Sequence, residues 1–198
     1  IGGGKFGSMF LAQARLTTGL QIAAVIDLAP ERARANLAAT GWAAEQYAAT
    51  SISDAFKTGG TYVGDDAATM IASGGIDIVV DATGDPSAGI RHALLCCEHG
   101  KNVVMVNVEA DALAGPLLAR RAEEAGIIYS LAYGDQPALI CEQVDWARAI
   151  GFKVVSAGKG TRYLPKFHQS TPDNVFDNYF VDAEVAKRGN MNPKMSTS

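Results

Sequence analysis

Apolar positions in this chain alternate between two rhythms, a helical one and short unbroken runs. KFGSMFLAQARLTTG places Phe6, Met9, Phe10 and Ala14 at helical spacing, and QIAAVID follows as an apolar run that ends on an acid. The spacing predicts a helix and then a strand. APERARANLAATG predicts a second helix, with Pro30 where a first turn tolerates it and Gly41 where a helix can stop. One or two short helices are expected around SDAF between Trp42 and Gly60, then a weak strand at TYVG and a helix over DDAATMIASGG capped by Asp65 or Asp66. IDIVVDATG is the clearest buried strand. The rhythm repeats as DPSAGIRHALLCCEHG (helix), NVVMVNVE (strand), DALAGPLLARRAEEAG (helix) and IIYSLAYG (strand). QPALICEQVDWARAIG (helix) and KVVSAG (strand) complete it.

Strands that are continuous apolar runs, separated by amphipathic helices, describe a parallel sheet covered on both faces. The expected fold class is therefore α/β, a doubly wound parallel sheet. From about Gly158 the composition turns polar, with prolines and aromatics and little periodicity. The division expected is 1–157 for the sheet domain and 158–198 for the start of a second, catalytic domain, too short to be whole. Ahead of the first helix stands IGGGKFGS, a glycine cluster spaced Gly2-x-Gly4-x-x-Gly7. The fold calls for a central strand feeding into such a turn. Ile1 is expected to be the last residue of that strand, with the sequence cut short at both ends.

The chain has 198 residues, 48% of them hydrophobic, and a formal charge of -4. That is enough apolar content for a full core, and there is no Lys/Arg block to serve as a footprint for nucleic acid or an anionic membrane. No apolar run reaches the roughly 18 residues of a membrane helix, so a soluble, cytoplasmic protein is expected, and a homo-oligomer. Cys96, Cys97 and Cys141 fit neither a disulfide framework nor zinc spacing and read as buried free thiols.

The glycine spacing suits a dinucleotide. Gly2 lets the chain turn, Gly4 lets a pyrophosphate approach backbone, Gly7 lets the helix pack close, and the helix N-terminus at Lys5 and Phe6 offers oriented N–H groups. Asp27, about twenty residues beyond Gly7, stands where an acid meets the adenosine ribose. A carboxylate there favours NAD(H). Arg32 and Arg34 could instead meet the 2′-phosphate of NADP(H), although on their helix they also read as ordinary surface charges. Ligands of such sheets cross the carboxyl ends of the strands, which brings in Thr83, Gly84 and Asn107 as cofactor contacts. Glu109 and Asp135 are candidates for acid/base work or for a hard cation such as magnesium or manganese. Helix capping competes for both, and for Asp135 seriously. In GKGTRYLPKFHQSTPD, Lys159 between two glycines could stabilise an oxyanion, and Arg162, Lys166, Ser170 and Thr171 could seat a phosphate. His168 is as much a surface residue as a catalytic one, while His92 and His99 read as structural.

Three segments, VVDATGDPSAG, IIYSLAYGDQPALICEQVDWARAIGF and AGKGTRYLPKFHQSTPDNVF, resemble the 1-deoxy-D-xylulose 5-phosphate reductoisomerase-like proteins, relatives of homoserine dehydrogenase. The resemblance implies an NADPH-dependent, divalent-metal-assisted conversion of 1-deoxy-D-xylulose 5-phosphate to 2-C-methyl-D-erythritol 4-phosphate, in isoprenoid precursor synthesis. A small phosphorylated substrate would be the partner, not a nucleic acid or a membrane. The placement of GKGTRYLP is also similar to the crossing from cofactor sheet to catalytic domain in homoserine dehydrogenases. There the chain departs at Asn107-Val108, since those enzymes carry a lysine after the asparagine. A homoserine dehydrogenase-like enzyme and a non-catalytic dinucleotide sensor stand as alternatives.

Overall fold

Among the described residues five short strands carry the apolar runs, and every pairing between them is parallel. They were described from a computed structural model that places residues 1–134, 136–158 and 164–179. After helix α1 (Lys5–Ala14) come β1 (Ala24–Ile26), α2 (Pro30–Ala39), a single 3-10 turn at Ala44–Tyr47, α3 (Ile52–Thr58) and β2 (Tyr62–Gly64). The second half of the sheet region holds α4 (Ala67–Ala72), β3 (Ile78–Asp81), α5 (Pro86–His99), β4 (Asn102–Met105), α6 (Val108–Ala125) and β5 (Tyr129–Leu131). Helix α7 (Gln136–Ala149), a 3-10 turn at Pro165–Gln169 and α8 (Val175–Tyr179) follow.

The strands form two small parallel sheets, β1 with β2 and β3-β4-β5 in that order. Ile1 lies between them. Its amino group donates to Val80 O at 2.7 Å, its carbonyl accepts from Ala82 N at 2.8 Å, and Gly2 N–H donates to Ile26 O at 2.7 Å. The first two bonds follow the slanted pattern of a parallel ladder. The arrangement is Rossmann-like α/β, with smaller sheets than the sequence rhythm suggests.

Alternation along β1 shows why both faces are covered. Val25 enters a cluster with Leu11, Ala33, Leu37, Trp42 and Val63, while its neighbour Ile26 enters another with Met70, Ile71, Val79, Met105 and Leu118. Adjacent strand residues point to opposite faces, so helices must lie on each. Each fully buried side chain of this size is worth about 1.5–3 kcal/mol. The helix ends obey the expected chemistry: Asp66 and Asp85 accept from Thr69 N and Ala88 N to cap α4 and α5, and Gly100 and Gly126 close α5 and α6 with positive φ.

Three expectations are corrected. Of the three thiols read as buried, Cys96 is buried, Cys97 is partly buried and Cys141 is exposed. NVVMVNVE does not run as strand to Glu109; β4 ends at Met105 and α6 begins at Val108, because Asn107 caps the helix there by accepting from Ala110 N. KVVSAG forms no strand: residues 152–158 have no ladder, and Val155 is largely exposed. Apolar content alone does not make a strand without a neighbour to bond.

The chain divides into two compact units, Ile1–Leu139 and Ile140–Ser198. All five strands lie in the first. In the second, α7 ends where Phe152 N–H returns to Ala147 O, and Asn174 ties the turn before α8 by accepting from Thr171 N at 2.7 Å and donating to Gln169 O.

Candidate functional site at the glycine turn

Gly2, Gly3 and Gly4 run from Ile1 into α1, and each glycine meets a different demand. Gly2 has φ +93°, and a Cβ there would lie 2.7 Å from the Ala82 carbonyl carbon. Only glycine accepts that conformation without strain. A Cβ on Gly7 would run into the Gly2 carbonyl oxygen, so the helix packs directly on the turn that starts it. At Gly4 a Cβ would meet nothing within 4 Å, and the backbone there faces open space. Ser8 fastens the turn, donating to Gly3 O and Gly4 O, and Asn36 donates to Gly3 O at 2.7 Å.

No side chain caps the N-terminus of α1 and its first turn holds no acid. The α2 start at Ala29 is also uncapped but carries Glu31 in its first turn, whereas Asp66, Asp85 and Asn107 cap α4, α5 and α6. Among the described residues no side chain accepts from the leading N–H groups of α1, which include those of Lys5 and the half-exposed Phe6. Such a helix end attracts anions through oriented N–H groups and the helix dipole.

Asp27 follows β1 and turns inward. Its Oδ2 accepts from Gly3 N at 2.8 Å, and its Oδ1 accepts from Ala29 N at 2.9 Å and from Arg32 at 2.7 Å. It is 6% exposed. Burial by itself would raise this carboxyl, but the Ala29 and Gly3 amides and the Arg32 guanidinium outweigh it and hold the group below the usual carboxylate range. Arg32 is therefore not the unattached surface charge that its helix position suggests. Arg34 is committed too, donating to Tyr47 O and Val63 O.

A second polar centre sits at the carboxyl end of β3. Asp81 is 1% exposed; its Oδ1 accepts from the Thr83 amide and hydroxyl, and its Oδ2 lies 2.6 Å from His92 Nδ1. Burial pushes the Asp81 carboxyl up, and the bonds from His92 and Thr83 bring it below its ordinary value. The carboxylate is then acceptor-only, so the imidazole Nδ1–H donates. Thr83 Oγ1 also accepts from Asn107, whose amide donates in turn to Asp85 O at 2.8 Å. Asn107 thus spends its side chain joining the turns after β3 and β4. Gly84 is exposed in the first of those turns.

The structure brings together Gly2, Gly4, Lys5, Phe6, Gly7 and Asp27 around one turn, with Thr83 against Gly2 and Asn107 bonded to Thr83. Glu109 occupies the first turn of α6, partly exposed. Asp135, Lys159 and Arg162 lie outside the described residues. In the second unit, Lys166 and His168 are exposed on the 3-10 turn, Thr171 N–H is bonded to Asn174, and Ser170 Oγ is buried without a hydrogen-bond partner. Among the described residues no group of three or more His, Cys, Asp or Glu side chains is gathered to hold a metal ion.

Residues 134–198 match the family model described as oxidoreductase DRL, catalytic domain. The similarity is to an oxidoreductase. It spans roughly the last third of the chain and takes in Asp135, Lys159, Arg162, Lys166, His168, Ser170 and Thr171, while the glycine turn lies outside it. No curated protein matches the sequence. The oxidoreductase similarity and the uncapped glycine turn thus fall on different parts of the chain.

Sequence reasoning missed Gly3 as the amide that holds Asp27, and missed both the Asp81–His92 pair and the Arg32–Asp27 pair. Asp81 did carry a signal, an acid closing the run IVVD. A charge at the end of a strand buried on both faces needs a partner.

Proposed function

We propose that this chain is an NAD(P)H-dependent oxidoreductase of the reductoisomerase-like kind, with a doubly wound dinucleotide-binding region built on β1–β5. The observation that carries the reading is the uncapped N-terminus of α1 behind a glycine turn whose Gly4 backbone is open to a ligand. Pyrophosphate suits that turn, because the Gly4 backbone faces open space and no side chain caps the helix behind it. The oxidoreductase similarity of residues 134–198 supports the redox class.

When bound, the nicotinamide supplies or accepts hydride. The residues of this chain then divide the remaining work. Gly4, Lys5 and Phe6 orient the dinucleotide through backbone amides, and the turns at Thr83–Gly84 and Asn107 form the shelf beside it. Arg162, Lys166, Ser170 and Thr171 seat the phosphate of a ketose phosphate, and Lys159 stabilises the alkoxide that develops as the carbonyl is reduced. The cation implied by the resemblance would fall to Glu109 and Asp135. The described residues do not assemble a site for it.

The test is incubation of the protein with NADPH, magnesium or manganese, and 1-deoxy-D-xylulose 5-phosphate, following absorbance and identifying the product. Formation of 2-C-methyl-D-erythritol 4-phosphate is the expected result. Oxidation of NADPH with a different carbonyl substrate would keep the oxidoreductase and remove the isomerisation. Failure to bind any dinucleotide would leave the sensor and both enzyme readings without their cofactor.

A further inference from the structure

The carboxylate expected to receive the adenosine ribose is already in use. Both oxygens of Asp27 are engaged by protein donors, Oδ2 by the Gly3 amide and Oδ1 by the Ala29 amide and Arg32, and the side chain is 5% exposed. A ribose hydroxyl pair needs an accessible acceptor, and this one faces inward. Arg32 is the opposite case: its guanidinium touches Asp27 at 2.7 Å, yet 53% of its side chain is open to solvent. A guanidinium carries five N–H donors in a planar fork, so one bond to Asp27 leaves most of them to a ligand. Arg34, two residues on, is bonded to the Tyr47 and Val63 carbonyls.

Position and charge favour the same ligand group. Asp27 clamps Gly3 within the glycine turn and also holds Arg32, so the arginine is fixed beside the residue that by fold position marks the adenosine end of a bound dinucleotide. Pairing neutralises the carboxylate that would otherwise repel a phosphate. What remains exposed is cationic and suited to bidentate phosphate recognition. Resting on the dinucleotide reading above, we infer that Arg32 is the residue that selects a 2′-phosphorylated dinucleotide, and that Asp27 is its positioning residue rather than a ribose acceptor.

The experiment is titration of the full chain with NADPH and with NADH by nicotinamide fluorescence, repeated with adenosine 2′,5′-bisphosphate and adenosine 5′-monophosphate as competitors. The wild type should bind NADPH at least about tenfold more tightly than NADH, the scale of one charge-assisted contact. Arg32→Ala alters a half-exposed side chain and should remove most of that preference by weakening NADPH alone. It should likewise equalise the two adenosine competitors. Asp27→Asn should weaken both dinucleotides, through Gly3, and also narrow their ratio, through Arg32; a purely structural Asp27 would leave the ratio unchanged. If both dinucleotides bind and Arg32→Ala lowers both affinities equally, or the wild type prefers NADH, the inference is overturned and the dinucleotide reading survives. If neither dinucleotide binds the wild type, both fall together.

Discussion

Gly4 and Gly7 look equivalent in IGGGKFGS, but their surroundings assign them separate tasks. Gly4 has φ −70°, an ordinary value for any residue, and open space where a Cβ would go. Gly4→Ala should therefore change stability by no more than about 1 kcal/mol while weakening dinucleotide binding about tenfold. Gly7→Ala drives a methyl into the Gly2 carbonyl and should cost about 2–3 kcal/mol. Thermal melts beside NADPH titrations separate the two, and a pair of variants that melt alike would contradict the geometry. Asp81 makes a pH-dependent prediction. Its folded carboxyl sits below its ordinary value, so the unfolded chain takes up the proton first as pH falls. The stabilisation is full above the unfolded value of about 3.9 and is lost as pH drops through the lower folded one. Asp81→Asn should destabilise by about 2 kcal/mol at pH 7, and the gap to wild type should narrow by pH 3. A gap of the same size at both would show that the carboxylate charge is irrelevant. At this scale the glycine spacing was readable from sequence. The Arg32–Asp27 bond was not, because it spans a strand-to-helix turn rather than a helical repeat.

Elements were more legible than their ends. All five strands and six helices of the sheet region stand where periodicity put them, since burial on both faces leaves continuous apolar runs that little else explains. The start of α6 was hidden because Asn107 interrupts NVVMVNVE with a residue whose capping role depends on its surroundings. That one side chain caps α6, bridges to Thr83 and bonds Asp85 O. It also fills the space beside Gly89 of α5, where a Cβ would lie 2.7 Å from Asn107 Nδ2. Asn107→Ala removes the cap and both bridges and should cost about 2–3 kcal/mol, read from the denaturant midpoint at unchanged slope. Asn107→Asp keeps the acceptor for Ala110 N–H but loses the amide donors, and should fall between alanine and wild type. Equal losses for the two would show that the bridges, not the cap, carry the energy.

At the scale of the molecule, the features proposed to serve cofactor and chemistry belong to different stretches of chain. The uncapped glycine turn lies in the first compact unit, and the similarity to an oxidoreductase catalytic domain begins at Gly134 and runs through the second. Among the described residues no helix is long and apolar enough to cross a membrane. Sequence composition changes near Gly158, where polar, proline-containing chain departs from the sheet rhythm, whereas the compact units divide at Leu139 and Ile140, inside a helix whose periodicity carries no sign of it. If cofactor and chemistry are divided in this way, kinetics should divide likewise. Lys159→Met keeps much of the side-chain length and removes the charge proposed to stabilise the alkoxide. Turnover should fall by roughly 100-fold, a barrier increase of about 2.7 kcal/mol, with NADPH affinity nearly unchanged. Gly4→Ala should do the reverse, raising KM for NADPH while kcat at saturating cofactor stays within about threefold of wild type. Steady-state kinetics over a matrix of NADPH and substrate concentrations, with a thermal melt of each variant, measures all four quantities. A Lys159→Met enzyme of normal kcat would return the basic segment to ordinary surface. A lowered melting temperature for that variant would make Lys159 part of the fold rather than of the reaction.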